Sequence, residues 1–136
     1  MNIDSIRNGI VIDHISPGKG MELVRLLELD RSDISVAIIR NVHSRKLGRK
    51  DIIKIDAEIP VNLDLIGYVD PEATVNIIKN GELVEKKTIA RPQTLTNVIY
   101  CKNPRCITSA EQEIRHVFRL TKDGYRCIYC ETKAES

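Results

Sequence analysis

The chain has 136 residues, 42% of them hydrophobic, with one Phe, no Trp and a formal net charge of +2. This length fits one ordinary domain or two small ones, and the composition requires a core of Ile, Val and Leu. The weak charge and the absence of a long apolar stretch argue against a nucleic-acid-binding protein and against a membrane protein. The first residues contain no apolar signal region, so we expect a cytoplasmic protein with reduced thiols.

The first half of the chain alternates strand and helix patterns. GIVIDHI (9–15) is rich in β-branched residues and predicts a strand, and MELVRLLEL (21–29) has the spacing of an amphipathic helix. SVAIIRNV (35–42) and DIIKIDAEI (51–59) predict two further strands, which a basic loop joins. The predicted order to this point is β-α-β-β.

A second helix and a hairpin follow. VNLDLIGYV (61–69) has helical spacing, and TVNII (74–78) predicts a strand. Asn80–Gly81 predicts a tight turn into a partner strand within 83–90. The order β-α-β-β-α-β with a short extra strand is typical of the split βαβ, ferredoxin-like α/β sandwich.

The four cysteines of the chain form two close pairs near its end, Cys101 with Cys106 and Cys127 with Cys130. Two such pairs, brought together by a hairpin between them, are what a tetrahedral Zn²⁺ site requires. Disulfides are disfavoured because thiols stay reduced in the cytoplasm, and a thioredoxin-like motif is disfavoured because CIYC has a matching pair upstream. An iron site with four thiolates has the same spacing and stays open.

The composition of 90–97 (ARPQTLTN) is that of a linker, with Pro92 breaking the sheet. We therefore expect an α+β fold in two domains. The first is the ferredoxin-like sandwich over 1–91, and the second is a small zinc-bound β-ribbon over 98–136.

No catalytic pattern is present in the sequence. All four thiols would be used by the metal, and no Walker loop, GxGxxG or GxSxG occurs. Asp13 and His14 are neighbours on a predicted strand, which places them on opposite faces. His43 lies in a polar loop without an evident partner, and we interpret His116, within the predicted ribbon, as a surface or packing residue. We interpret the chain as non-catalytic.

Several basic residues have strand positions that would bring them together. Lys50 and Lys54 lie four apart and share a face, and they could converge with Asp13, His14 and Lys86 on one edge of the sheet. Lysines there could bind phosphates, and a carboxylate could accept from ribose hydroxyls. Solvated surface lysines are the simpler interpretation of this pattern, and an RNA-binding patch over 40–50 is a third.

Four segments together resemble the regulatory chain of aspartate carbamoyltransferase, in the same order and over nearly the whole chain. They are GIVIDHI, LGRKDIIKID, ATVNII, and NVIYCKNPRCIT followed by CIYC. The resemblance implies a non-catalytic allosteric subunit of pyrimidine biosynthesis that forms regulatory dimers and bridges catalytic trimers. It also implies CTP as inhibitor, with UTP helping in some members, and ATP as activator; paired nucleotides would allow Mg²⁺ to join the triphosphates.

The resemblance assigns a nucleotide site residue by residue. The base and ribose would meet Ile3, Asp4, Ser5, Ile6, Val11, Asp13 and Lys54. The triphosphate would meet His14, Lys50 and Lys86, and Asn76, Ile78 and Leu83 would complete the pocket. The zinc ligands would be Cys101, Cys106, Cys127 and Cys130, in a domain that docks on the catalytic chain. Gly81 stands where a relative carries an aromatic residue, so the resemblance does not assign one wall of the pocket.

Two other classes of protein are compatible with paired cysteines. A zinc-ribbon nucleic-acid-binding protein would require affinity that falls steeply with salt. A small redox protein would require a reversible CIYC disulfide. The allosteric interpretation requires instead nucleotide binding and a catalytic partner, with no role for nucleic acid or membrane.

Overall fold

The computed structural model describes residues 6–31, 33–46 and 48–134. The chain divides into two compact units, Met1–Arg91 and Pro92–Ser136. Within the described ranges, no helix is both long and apolar enough to cross a membrane.

The first unit is a five-stranded antiparallel sheet with two helices. Its strands are β1 (Gly9–Ile15), β2 (Val36–Ser44), β3 (Gly48–Ile55), β4 (Thr74–Lys79) and β5 (Glu82–Thr88). The helices are α1 (Lys19–Leu26) and α2 (Leu63–Val69), and a 3-10 turn (Leu29–Arg31) follows α1. The spatial order β2-β3-β1-β4-β5 confirms the ferredoxin-like prediction, with β5 as the extra strand.

The core of this unit lies between the helices and one face of the sheet. Alternate residues of β1 and β3, such as Ile10, Ile12, Ile53 and Ile55, are buried against it. The helices contribute Leu23, Val24, Ile66 and Val69. Strand alternation therefore turns Val11, Asp13 and Lys54 to the opposite face, which we call the open face.

Some element bounds differ from the sequence prediction for local reasons. β2 and β3 reach Ser44 and Gly48, which pair with each other, so most of the predicted basic loop is hairpin. α2 begins at Leu63 because the side chain of Asn62 caps it, accepting from the Leu65 N–H at 3.2 Å.

Two β-bulges interrupt the sheet on either side of β3. In β1, Asp13 and His14 together oppose one residue of β3, and in β2, Arg40 and Asn41 do the same. His14 and Asn41 have φ angles of 56° and 57°, so each bulge contains a residue in the left-handed region. The alternation that placed Asp13 and His14 on opposite faces does not hold here, and that prediction was wrong.

The second unit is a three-stranded antiparallel sheet in the order β6-β7-β8, with a short helix. Its elements are β6 (Thr94–Thr96), α3 (Ile107–Ala110), β7 (Val117–Thr121) and β8 (Gly124–Cys127). Residues 94–96, which the sequence placed in a linker, are β6 because Leu95 is fully buried and pairs with Phe118. The buried apolar side chains of this unit are few, chiefly Leu95, Phe118 and Tyr125 beside three cysteines.

Candidate metal centre and nucleotide site

The four cysteine thiols form one cluster in the second unit. Their Sγ atoms all lie within 4.8 Å of one another, with Cys101 to Cys130 at 3.6 Å and Cys106 to Cys127 at 3.8 Å. The thiols are free, and these separations are far longer than a disulfide bond. A tetrahedral cation with metal–sulfur distances of about 2.3 Å requires sulfur atoms about 3.8 Å apart. The cluster therefore fits a closed, four-thiolate structural metal site.

The local environment shifts the pKa values of thiols in the cluster in opposite directions. Burial raises the pKa of Cys101 to about 12 and also raises the pKa of Cys127. Burial opposes ionisation of Cys130 too, but hydrogen bonds with Thr132 and Asn103 outweigh it and lower the pKa of Cys130 to about 6. A cysteine binds a metal as its thiolate, and burial disfavours the thiolate forms of Cys101 and Cys127. A bound cation would stabilise their negative charges.

Hydrogen bonds from outside the cluster hold its two turns. The backbone N–H of Cys101 donates to His116 Nδ1 at 3.0 Å, and the N–H of His116 donates to Asn97 Oδ1 at 2.9 Å. The Thr108 hydroxyl donates to Cys106 Sγ at 3.1 Å. Because Nδ1 accepts, His116 carries its proton on Nε2. Sequence reasoning treated His116 as a surface or packing residue; only the folded ribbon brings it to Cys101.

On the open face of the first unit, four predicted site residues form one row across four strands. Lys54 of β3 is opposite Val11 of β1, Val11 is opposite Asn76 of β4, and Asn76 is opposite Lys86 of β5. Directly opposite residues share a face of the sheet, with Cβ atoms about 5 Å apart. We call Lys54, Val11, Asn76 and Lys86 the transverse row.

An ion pair lies beside the transverse row. Lys50 Nζ is 2.9 Å from Asp13 Oδ1, and the His14 N–H donates to the same oxygen at 2.7 Å. Partial burial raises the pKa of Asp13, but these two hydrogen bonds and the nearby positive charge outweigh it, so its pKa lies below the ordinary 3.8. The His14 ring is anchored by Nδ1, 3.1 Å from Thr74 Oγ1. The β1 bulge therefore brings His14, Asp13 and Lys50 together.

Asn76 has an unused hydrogen-bonding atom in this row. Its Oδ1 is buried, yet it has no hydrogen-bond partner among the residues that the structure describes. Buried polar atoms are paired in the great majority of cases, and an unpaired one costs about 1–3 kcal/mol.

The remaining predicted residues lie at the end of the open face. Ile78 of β4 is opposite Leu83 of β5 and also opposite Gly9 of β1, and Ile6 is buried nearby with its Cγ2 facing Gly9. These apolar groups could contact a planar base. Ile3, Asp4 and Ser5, which the resemblance also assigned to the base and ribose, lie outside the described residues.

Both units match known protein families. Residues 1–90 match the family model described as aspartate carbamoyltransferase regulatory chain, allosteric domain, and residues 93–136 match the metal binding domain of the same chain. Curated relatives named aspartate carbamoyltransferase regulatory chain occur in Clostridium tetani (47% identical over 135 residues, 96% of this chain and 94% of the relative) and in Clostridium botulinum strain Hall (46% over 134 residues, 96% and 92%). The relative from Bifidobacterium longum is 40% identical over 138 residues, covering 99% of both chains.

Proposed function

The chain belongs to the family of aspartate carbamoyltransferase regulatory chains, which are non-catalytic subunits in pyrimidine biosynthesis, and we propose that it binds CTP and ATP as opposing allosteric effectors. CTP inhibits, with UTP assisting, and ATP activates. The family match over both units favours this function over a nucleic-acid-binding zinc ribbon.

The observation that carries the nucleotide proposal is the transverse row itself, which places Lys54 and Lys86 on one face of the sheet, close to the Lys50–Asp13 ion pair. A nucleotide laid along the row would contact the side chain of Asn76 at its centre. Lys86 at one end of the row and Lys50 with His14 beside it would bind the triphosphate, with Mg²⁺ able to join the phosphates. Ile6, Ile78 and Leu83 would contact the base, and Asp13, Val11 and Lys54 the ribose side.

We assign zinc to the four-cysteine centre. Four thiolates in tetrahedral spacing are typical of structural zinc, and all four positions are protein ligands, so no coordination site is open for chemistry. The zinc shapes residues 98–136 into a docking domain for the catalytic chain. Ile128 and Tyr129, between the last two ligands, are about half exposed and offer an apolar contact for that partner.

We also propose that the chain forms regulatory dimers that bridge catalytic trimers in the cytoplasm. In the described part of the sheet, β2 pairs only with β3, so its outer edge presents backbone groups to a second strand. Ala37, Ile39 and Val42 on this strand are only partly buried and would extend an apolar contact.

Regulation requires that the effectors distinguish two states of the partner. A nucleotide that binds both states equally shifts nothing, and differences of about 1–3 kcal/mol are usual for such coupling. The expected effects on activity are therefore moderate.

The decisive experiment mixes the purified zinc-loaded chain with carbamoyltransferase trimers from the same source and follows product formation with and without CTP, UTP or ATP. In parallel, calorimetry measures nucleotide binding to the chain alone. Lys86→Ala should lower the affinity for CTP and for ATP alike, since both nucleotides present a triphosphate. Lys87→Ala is the matched control, because Lys87 neighbours Lys86 on β5 but pairs with Val75, outside the row. Equal affinity of both variants and the unaltered chain for CTP and ATP would refute the site.

A further inference from the structure

Asp51 is a fully buried carboxylate in the first unit, at 0% exposure. It follows Lys50 on β3 but faces the helices, whereas Lys50 faces Asp13 on the open face. Buried carboxylates are costly unless their oxygens are hydrogen-bonded, so its partners define its role.

Three backbone N–H groups from two distant segments donate to this carboxylate. Gly18 and Gly20, at the start of α1, donate to Oδ2 at 3.0 and 3.1 Å. Asn41 of β2 donates to Oδ1 at 2.8 Å. One side chain therefore ties the segment that follows β1 to the edge strand β2.

These contacts coincide with the two bulges. Asn41 is the left-handed residue of the β2 bulge, which lies directly opposite Asp51 in the sheet. Gly18 and Gly20 belong to the turn just after the β1 bulge, and Ile15, at the end of that bulge, is opposite Asp51 on the other side. Asp51 thus sits between the two irregularities that flank Lys50, and one of them contains Asp13 and His14.

We propose that Asp51 is a positioning residue for the phosphate-binding group formed by His14 and Lys50. By fixing both bulges, its carboxylate holds the imidazole and the ammonium in the arrangement that receives the phosphates, without touching the ligand. This inference rests on the nucleotide site proposed above.

The turn is built closely around this carboxylate. A Cβ added at Gly20 would lie 2.9 Å from Asp51 Oδ2 and 3.0 Å from Asp51 Cβ, tighter than real contacts allow. Gly20→Ala would therefore displace the carboxylate while leaving every charge in place.

A second buried carboxylate supplies the matched control. Asp70 accepts from the N–H of Ser16 at 2.6 Å and from the N–H of Glu72 at 3.0 Å, and it is 3% exposed. It supports the same turn, but its hydrogen bonds do not involve Gly18, Gly20 or Asn41, whose N–H groups donate to Asp51. Asp70→Asn should therefore perturb the turn without releasing the β2 bulge.

The test measures binding of tripolyphosphate, of CTP and of cytidine by calorimetry to the full-length, zinc-loaded chain and to Asp51→Asn, Gly20→Ala and Asp70→Asn. Both Asp51→Asn and Gly20→Ala should lower the affinity for tripolyphosphate and for CTP about tenfold. This is the loss expected when binding groups move by a fraction of an ångström to an ångström. Cytidine, which has no phosphate, should change less than about twofold, and so should every ligand with Asp70→Asn. The backbone amide resonance of Asn41, in the β2 bulge, should shift in the first two variants alone.

The outcomes separate this inference from the proposal on which it rests. An unaltered chain that binds neither tripolyphosphate nor CTP would overturn the nucleotide site itself. Normal binding by the two test variants, or equal losses in all three variants, would overturn the positioning role only. If neither test variant folds, hydrogen exchange in the unaltered chain decides: tripolyphosphate should slow exchange of the Asn41 amide, and an unchanged rate would refute the inference.

Discussion

The ion pair between Lys50 and Asp13 yields a quantitative prediction about the first unit. The two side chains are 17% and 20% exposed, and Lys50 Nζ is 2.9 Å from Asp13 Oδ1. A second pair, Lys46 with Glu72, has a separation of 3.7 Å, with side chains 51% and 57% exposed. The two pairs allow burial and distance to be compared within one protein.

The expected energies follow from these environments. At an effective dielectric constant of about 20, opposite charges 2.9 Å apart attract by roughly 6 kcal/mol, but desolvation offsets most of this. A hydrogen bond between charged groups retains about 1.5–3 kcal/mol, and residual exposure reduces this pair to about 1–2 kcal/mol. The exposed pair should contribute about 0.5 kcal/mol or less.

Double-mutant cycles measure both values. Asp13→Asn, Lys50→Met and their combination form one cycle, and the corresponding changes at Lys46 and Glu72 form the control. The free energy of opening is read from hydrogen exchange of the core amides of β1 and β4, which isolates the first unit from the second. NMR titration of Asp13 supplies an independent readout, because Lys50→Met should raise the pKa of this carboxyl.

The pH dependence has a definite sign. The folded-state pKa of Asp13 lies below its ordinary value of 3.8, so its contribution is complete above that value and is lost as pH falls through the folded-state pKa. A coupling energy below about 0.5 kcal/mol at pH 7, or one that persists unchanged below the Asp13 pKa measured by the NMR titration, would refute the reasoning.

Three further predictions concern the folds of the two units. Cys106→Ser, or removal of the metal with a mercurial, should unfold the β7–β8 hairpin and abolish docking on catalytic trimers, since structural zinc contributes about 10–16 kcal/mol to folding. The amides of β1–β5 should stay protected from hydrogen exchange. A stable complex of that variant with catalytic trimers would contradict the docking role. Gly9→Ala should cost about 2–3 kcal/mol in urea unfolding, because its Cβ would lie 2.1 Å from the carbonyl oxygen of Ile55; a loss below 0.5 kcal/mol would show that the backbone yields. Asn62→Ala should cost about 1 kcal/mol by removing the α2 cap, whereas Asn62→Asp should restore it; equal stability of the two variants would argue against the cap.

Much of the architecture could be predicted because its causes are local. β-branched runs, the Asn80–Gly81 turn and the spacing of the cysteine pairs each act over a few residues, and together they predict the strand order and the thiol cluster. That Lys50 and Lys54 share one face of the sheet likewise follows from their even spacing and strand alternation alone.

The features that sequence missed depend on pairing between distant segments. The bulges at Asp13–His14 and Arg40–Asn41 exist only relative to the facing residues of β3, so no single segment encodes them. β6 has one buried apolar residue, Leu95, and too short a pattern to register as a strand. The hydrogen bond from Cys101 to His116 likewise depends on the pairing of β6 with β7, which brings together two segments that a long loop separates.

The transverse row has a mechanical consequence. Its members come from β3, β1, β4 and β5, which are far apart in the sequence. One small molecule bound to all of them would therefore link these four strands across the sheet. Such a ligand would stabilise the whole sheet. By mass action it would add about 2.7 kcal/mol to the free energy of unfolding at a concentration one hundred times its dissociation constant. The concentration of nucleotide in the cell would then set the rigidity of this subunit as well as its effect on the catalytic partner.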